Sequence, residues 1–195
     1  AQQIGSALHT SHRSGIVHRN IKSENIFLVR HDLGDRVTES TRVMDFGLAR
    51  FRRLAPAGTR DASLGVSAYM APETLSETTT PIDGRADQWA LSCAVYRMLA
   101  GKLPFDDDSP EELLRQITDE PPRPLAKSLD LPLHTVAAIS RGMSKRREDR
   151  FETMLDFVRA LASRSSTGAS GEAAQIATEG VPSAKPPQLS GRVTA

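Results

Sequence analysis

The chain has 195 residues, long enough for one domain with a real hydrophobic core, and its 38% hydrophobic and 25% charged residues are an ordinary soluble composition. A formal net charge of +1 excludes a global basic field of the kind that gathers nucleic acid, and no apolar run approaches the about 18 residues that span a bilayer. A single cysteine, Cys93, excludes an internal disulfide and fits a reducing compartment.

Residues 1 to 12 read as the end of a helix with Ile4, Leu8 and Ala7 on one face, broken at Gly15. The first six residues have neither the charged start nor the apolar middle of a signal peptide, so the expected location is cytoplasmic. Ile26 to Val29 and Val43-Met44 are short strand-like runs, and the polar stretch between them reads as the long connection of a hairpin. That hairpin places Asn25 and Asp45 at neighbouring strand ends, two oxygen ligands within reach of one cation. Arg42, Arg50, Arg52, Arg53 and Arg60 cluster as a solvated loop flank. Gly84 opens a helix that runs to Ala100 and stops at Gly101; it is apolar almost all round and belongs at the centre of a domain, with Cys93 as a small buried hydrophobe. Ser109-Pro110-Glu111-Glu112 signals a second helix through an N-cap Ser, Pro at the first position and a capping-box Glu. Residues 133–143 and 151–161 read as two more helices. Beyond Ser163 no aromatic residue occurs and Ser, Gly, Ala and Pro dominate, so 163–195 is expected to be a disordered tail behind a domain spanning 1–162.

Several short motifs stand in a fixed order along this frame: His18-Arg19-Asn20-Ile21-Lys22-Ser23-Glu24-Asn25, Asp45-Phe46-Gly47, Ala71-Pro72-Glu73, Asp87 near the start of the central helix, and Arg150-Phe151. Together they resemble the serine/threonine protein kinases of the bacterial type. The resemblance implies a mainly α, α+β kinase-like fold: the C-terminal lobe of the kinase fold, helical with a short β-hairpin. Only seventeen residues precede His18 and no Gly-x-Gly-x-x-Gly occurs, so the N-terminal, ATP-cradling lobe is expected to be absent. It also implies roles. Lys22 steadies the transferred phosphate, Asn25 and Asp45 hold Mg²⁺, and Asp87 accepts hydrogen bonds from the catalytic-loop backbone, besides suiting the helix dipole as a first-turn carboxylate. Glu73 pairs with Arg150. Thr59 and Ser63 fall in the activation segment, either as phosphorylation sites facing Arg19 or as ordinary loop hydroxyls.

Two positions depart from the family pattern. Asn20 stands where the family has its catalytic Asp, and a carboxamide cannot accept a proton at neutral pH. Val66 stands where the family has a Thr whose hydroxyl bridges that Asp and the loop Lys. Loss of a general base costs about 10²–10⁴-fold in rate, or about 3–5 kcal/mol. The expectation is therefore a serine/threonine kinase-like module, catalytically impaired and acting by binding as a pseudokinase. The alternatives are an active kinase whose nucleotide lobe lies upstream and a non-functional fragment. Mg-ATP is the family's cofactor, and without its cradle this chain alone is expected to bind it weakly or not at all. A protein partner docking on the helix from Ser109 to Ile117 is the expected interaction, with no nucleic acid and no membrane.

Overall fold

A computed structural model describes residues 1–32, 34, 36–46, 66–75, 81–125 and 129–163. In chain order they form α1 (Gln2–Arg13), β1 (Ile26–Asp32), β2 (Val37–Val43), α2 (Pro72–Leu75), α3 (Gly84–Ala100), α4 (Pro110–Asp119), α5 (Leu133–Gly142) and α6 (Met154–Ala162). Short 3₁₀ turns cover Ser23–Asn25 and Arg147–Asp149.

Helix α3 organises the rest. Asp83 caps its start, its carboxylate accepting the Arg85 N–H at 2.9 Å, and Gly101 ends it in the left-handed region at φ 71°. Trp89, Leu91, Cys93, Ala94 and Tyr96 are all buried, so the helix has no solvent face over its middle turns. On one side Trp89, Cys93 and Tyr96 pack with Phe105, Ile117, Ile139 and Met143. On the other, Ala90 and Leu91 pack with Ile4 and Leu8 of α1, Ile21, and Met154, Phe157 and Val158 of α6. Each large side chain buried this way contributes about 1.5–3 kcal/mol. Ala7, read as a third apolar contact of α1, is instead exposed.

The polar groups of α3 are equally committed. Gln88 accepts the Phe151 N–H at 2.8 Å and donates to the Phe151 carbonyl at 3.2 Å, fixing the approach to α6. Lys145 lies over the Phe105 ring at 4.2 Å and donates to the Gln116 and Ile117 carbonyls at the end of α4. Burial pushes its ammonium down to about 8.

The expected fold, a mainly α C-terminal lobe with a short hairpin and no N-terminal lobe, is corrected. β1 and β2 pair antiparallel over seven positions, from Ile26 opposite Val43 to Asp32 opposite Val37. A full ladder therefore stands beside six helices among the described residues, part of a kinase-like α+β arrangement that does not reduce to one helical lobe. The polar stretch read as a connection is largely strand. Val37, Thr38 and Thr41 are β-branched, and in a ladder without a fully buried residue polar residues such as Glu39 and Arg42 sit comfortably among them. The capping box of α4 is also only half formed. Ser109 Oγ accepts the Glu112 N–H at 3.3 Å, while Glu112 turns to Arg115 and Asp107 takes the Ser109 N–H.

Candidate functional site: the loop between α1 and β1

After α1 the chain turns at Gly15, φ 72°, and enters the loop from His18 to Asn25. Asp87, fully buried near the start of α3, holds that loop by its backbone: Oδ2 accepts the His18 N–H at 2.8 Å and Oδ1 the Arg19 N–H at 2.7 Å. Arg19 sits at φ 64°, a left-handed conformation that costs a non-glycine residue about 1–2 kcal/mol. The two hydrogen bonds to a buried carboxylate offset that cost. Asp87 stands in the first turn of α3, where a carboxylate suits the helix dipole, while Asp83 occupies the N-cap and both Asp87 oxygens accept from the loop.

The loop is closed from the other end as well. Asn25 Nδ2 donates to the Asn20 carbonyl at 2.9 Å, and the Asn25 carbonyl accepts the Met44 N–H at 2.9 Å. That second bond extends the hairpin ladder and carries Asp45, at φ 64°, to the same end as Asn25. The Asn20 N–H points back to His18 Nδ1 at 3.3 Å. His18 is completely buried, its ring centroid 4.1 Å from that of Phe46 and its Nε2 without a hydrogen-bond partner. Burial lowers its basicity below the ordinary imidazole value, so it is held neutral. Lys22 is half-buried and Asp45 exposed.

A second set of contacts ties the loop to the segment ending in Ala71-Pro72-Glu73. Arg97 of α3 donates to Ser23 Oγ at 3.1 Å, to the Tyr69 hydroxyl at 2.9 Å and to Glu24 at 2.6 Å. Val66 is half-buried against the core cluster that contains Ala68 and Ala71. Further along, Arg150 makes a two-pronged pair with Glu73, at 2.7 and 2.8 Å, and also donates to the Arg85 and Ser144 carbonyls. The arginine lies over the Trp89 ring at 5.1 Å. Thr59, Ser63 and Gly47 lie outside the described residues.

The structure thus brings Arg19, Asn20, Asn25, Asp45 and Asp87 together around one loop, and sets Glu73 with Arg150 as a separate brace. Sequence reading missed three residues that hold the site: His12, whose Nε2 lies 2.7 Å from Asp87 Oδ2, and the Arg97–Tyr69 link. Each contact joins residues 28 or more positions apart, and neither a helical His nor an Arg in an apolar helix marks such a partner in advance. An arginine interrupting the buried run of α3 was the one visible sign.

As a cation site the donor set fits in part. With Nδ2 committed to Asn20, Asn25 presents its Oδ1, and Asp45 adds a carboxylate; Mg²⁺ takes one or two protein oxygens and completes its shell with water and phosphate. Among the described residues no three His, Cys, Asp or Glu side chains gather as a metal cluster. None of the described helices is long and apolar enough to cross a membrane.

The loop, the hairpin and the Glu73–Arg150 pair stand along the chain in the order that the resemblance to the protein kinases implies. The protein kinase domain family matches residues 1–167, and the chain belongs to that family. The serine/threonine-protein kinase PknE of Mycobacterium tuberculosis is 35% identical over 155 residues, covering 80% of this chain and 26% of that protein. Pkn1 of Myxococcus xanthus, also a serine/threonine-protein kinase, is 35% identical over 161 residues, covering 82% and 22%. PknB of M. tuberculosis is 32% identical over 178 residues, covering 89% and 26%. The chain therefore spans about a quarter of the length of these relatives. Among solved structures, the Rad53 kinase domain with SCD2 in complex with AMPPNP superposes with a TM-score of 0.62 at 23% identity, over 83% of this chain and 57% of that one. A mutant form of the M. tuberculosis PknI kinase domain gives 0.56 at 25% identity, over 81% and 50%. The unbroken family match from residue 1 to 167 completes the correction of the fold. What is shown is part of the protein kinase fold, not a C-terminal lobe defined by a missing partner.

Proposed function

We propose that this chain is a serine/threonine protein kinase domain in which phosphotransfer is impaired at Asn20, leaving binding as its main activity. The observation that carries the reading is a carboxamide at the position of the proton acceptor, in a loop otherwise braced as the family's chemistry requires. The family uses Mg-ATP. Here Asn25 and Asp45 would hold the metal, which supplies charge neutralisation at the phosphates. Lys22 offers a cation to the transferred phosphoryl group. Asn20 can orient an acceptor hydroxyl through its Oδ1 but cannot remove the proton. Val66 adds no hydroxyl to steady residue 20. Phosphoryl transfer depends mostly on position and charge, so the reaction is slowed by about 10²–10⁴-fold and not abolished.

The binding role falls to the surface of α4, whose exposed residues include Leu114 and the acidic Glu111, and its partner is a protein segment. A second reading, an active kinase that works by positioning alone, is favoured by the retention of Lys22, Asn25 and Asp45. Labelled ATP with Mg²⁺ separates the two. In the first reading, Asn20→Asp in the full-length gene product raises incorporation into a serine- or threonine-containing acceptor by at least about 10²-fold. In the second, parent and variant run alike. Asp45→Ala serves as the control that abolishes incorporation in either.

A further inference from the structure

We propose that Gln3 is a positioning residue for Asp45, acting through β2: its carboxamide takes the place of a neighbouring strand on the outer edge of the hairpin. The proposal rests on reading Asn25 and Asp45 as the pair that would hold the cation.

In the two-stranded sheet β2 is an edge strand, and its outward polar groups have no third strand to meet. Thr41 stands opposite Leu28 of β1, yet its N–H turns outward and donates to Gln3 Oε1 at 2.6 Å. Two residues earlier on the same edge, the Glu39 carbonyl accepts from Gln3 Nε2 at 3.4 Å. One side-chain amide thus engages both backbone groups that a third strand would engage. The Thr41 hydroxyl donates to the same Oε1 at 2.8 Å, so the acceptor is held twice. Among the described residues no other side chain hydrogen-bonds the ladder from outside the hairpin.

A two-stranded hairpin is marginal on its own in water, and this one has no fully buried residue. Ile26 and Val43 pack against the core cluster built from α1 and α6, which holds the near end of the ladder without fixing its direction. The directional bonds come from Gln3. Its seat is close-packed: Ile4 and Gly5 beside it are buried, and a Cβ on Gly5 would overlap the Val158 side chain of α6. From Thr41 the strand runs through Val43 to Met44, whose N–H meets the Asn25 carbonyl at 2.9 Å, and then to Asp45. The helix therefore fixes β2 four residues before the carboxylate. A strand free to slide would carry Asp45 away from Asn25.

Amide hydrogen exchange on the full chain, read residue by residue by NMR without metal or nucleotide, tests this. Gln3 is exposed and alanine is the better helix former, so Gln3→Ala keeps α1. In that variant the Thr41 and Met44 amides should exchange about fivefold faster or more, while Leu91 and Cys93 in the middle of α3 stay within about twofold. Gln3→Glu, which keeps the oxygen acceptor for Thr41, should recover most of the protection at both. Acceleration at Thr41 alone would overturn the proposal, since the lost bond would then be felt only where it was made. Unchanged exchange at both amides, equal acceleration at all four, Glu behaving as Ala, or loss of the fold in Gln3→Ala would overturn it too. Because no metal is added, failure of Asn25 and Asp45 to hold a cation would refute that reading and leave this result standing.

Discussion

Asn20 differs from a carboxylate by one group of atoms, and its surroundings determine what that difference costs. Its carbonyl is held by Asn25 and its N–H by His18, so the backbone of the loop does not depend on the side chain at 20. On the proposed reading an aspartate there would meet a prepared position, but Val66 would offer no hydroxyl to orient it. Asn20→Asp and Val66→Thr should therefore act as a unit, the double change exceeding the product of the singles in phosphorylation rate. The neighbouring His18 carries a separate prediction. Buried without a partner for Nε2, it takes up protons less readily folded than unfolded. The unfolded chain then binds more protons below its ordinary value of 6.5, so the His18 contribution is intact above that pH and is lost as pH falls through it. Urea unfolding at pH 7.5 and 5.5 should show a larger loss for the parent than for His18→Asn, which keeps an acceptor for the Asn20 N–H. Equal losses would mean that another group carries the acid sensitivity.

Among the elements, α3 was the most legible and the hairpin the least. The run from Trp89, apolar but for Ser92 and Arg97 and closed by Gly101, marked both the extent of α3 and its central place, and its bounds of Gly84–Ala100 follow from those signals. The sequence reading took up Asp87 as a first-turn carboxylate but not Asp83 as the cap, and only the fold assigns one to the loop and the other to the helix start. Thermal or urea unfolding should accordingly separate them. Asp83→Ala should cost about 1 kcal/mol, the ordinary value of a lost N-cap, with the loop unaffected. Gly101→Ala should cost a similar amount for its left-handed backbone. An Asp83→Ala variant as stable as the parent would show that the Arg85 N–H finds water instead. The strands were underestimated because polarity was weighed above β-branching in 37–43, where no residue of the strand is fully buried. The motif residues were legible because their order along the chain carries information that no single triplet does. The contacts of His12 and Arg97 were not, since nothing local encodes a partner so far along the chain.

Across the molecule, one brace joins the segment before α3 to the turn before α6. Arg150 has a side chain with no exposure and Glu73 one with 18%, which makes their pair a buried one. Removing Glu73 strands a guanidinium in the interior, with the Arg85, Ser144 and Lys145 carbonyls as its remaining partners. Breaking such a pair costs about 3–5 kcal/mol, and those carbonyls place Glu73→Ala toward the lower end. A urea midpoint equal to that of the parent would contradict the brace. The central proposal is that a kinase loop, held in place by Asp87 and closed by Asn25, is slowed chiefly by the carboxamide at its proton-acceptor position. The rate of phosphoryl transfer from labelled ATP to a serine- or threonine-containing acceptor, compared between the full-length gene product and its Asn20→Asp variant, tests that claim most directly. An increase of about 10²–10⁴-fold, lost again on Asp45→Ala, is the predicted result. Equal rates in parent and variant, or no incorporation by either, would contradict it.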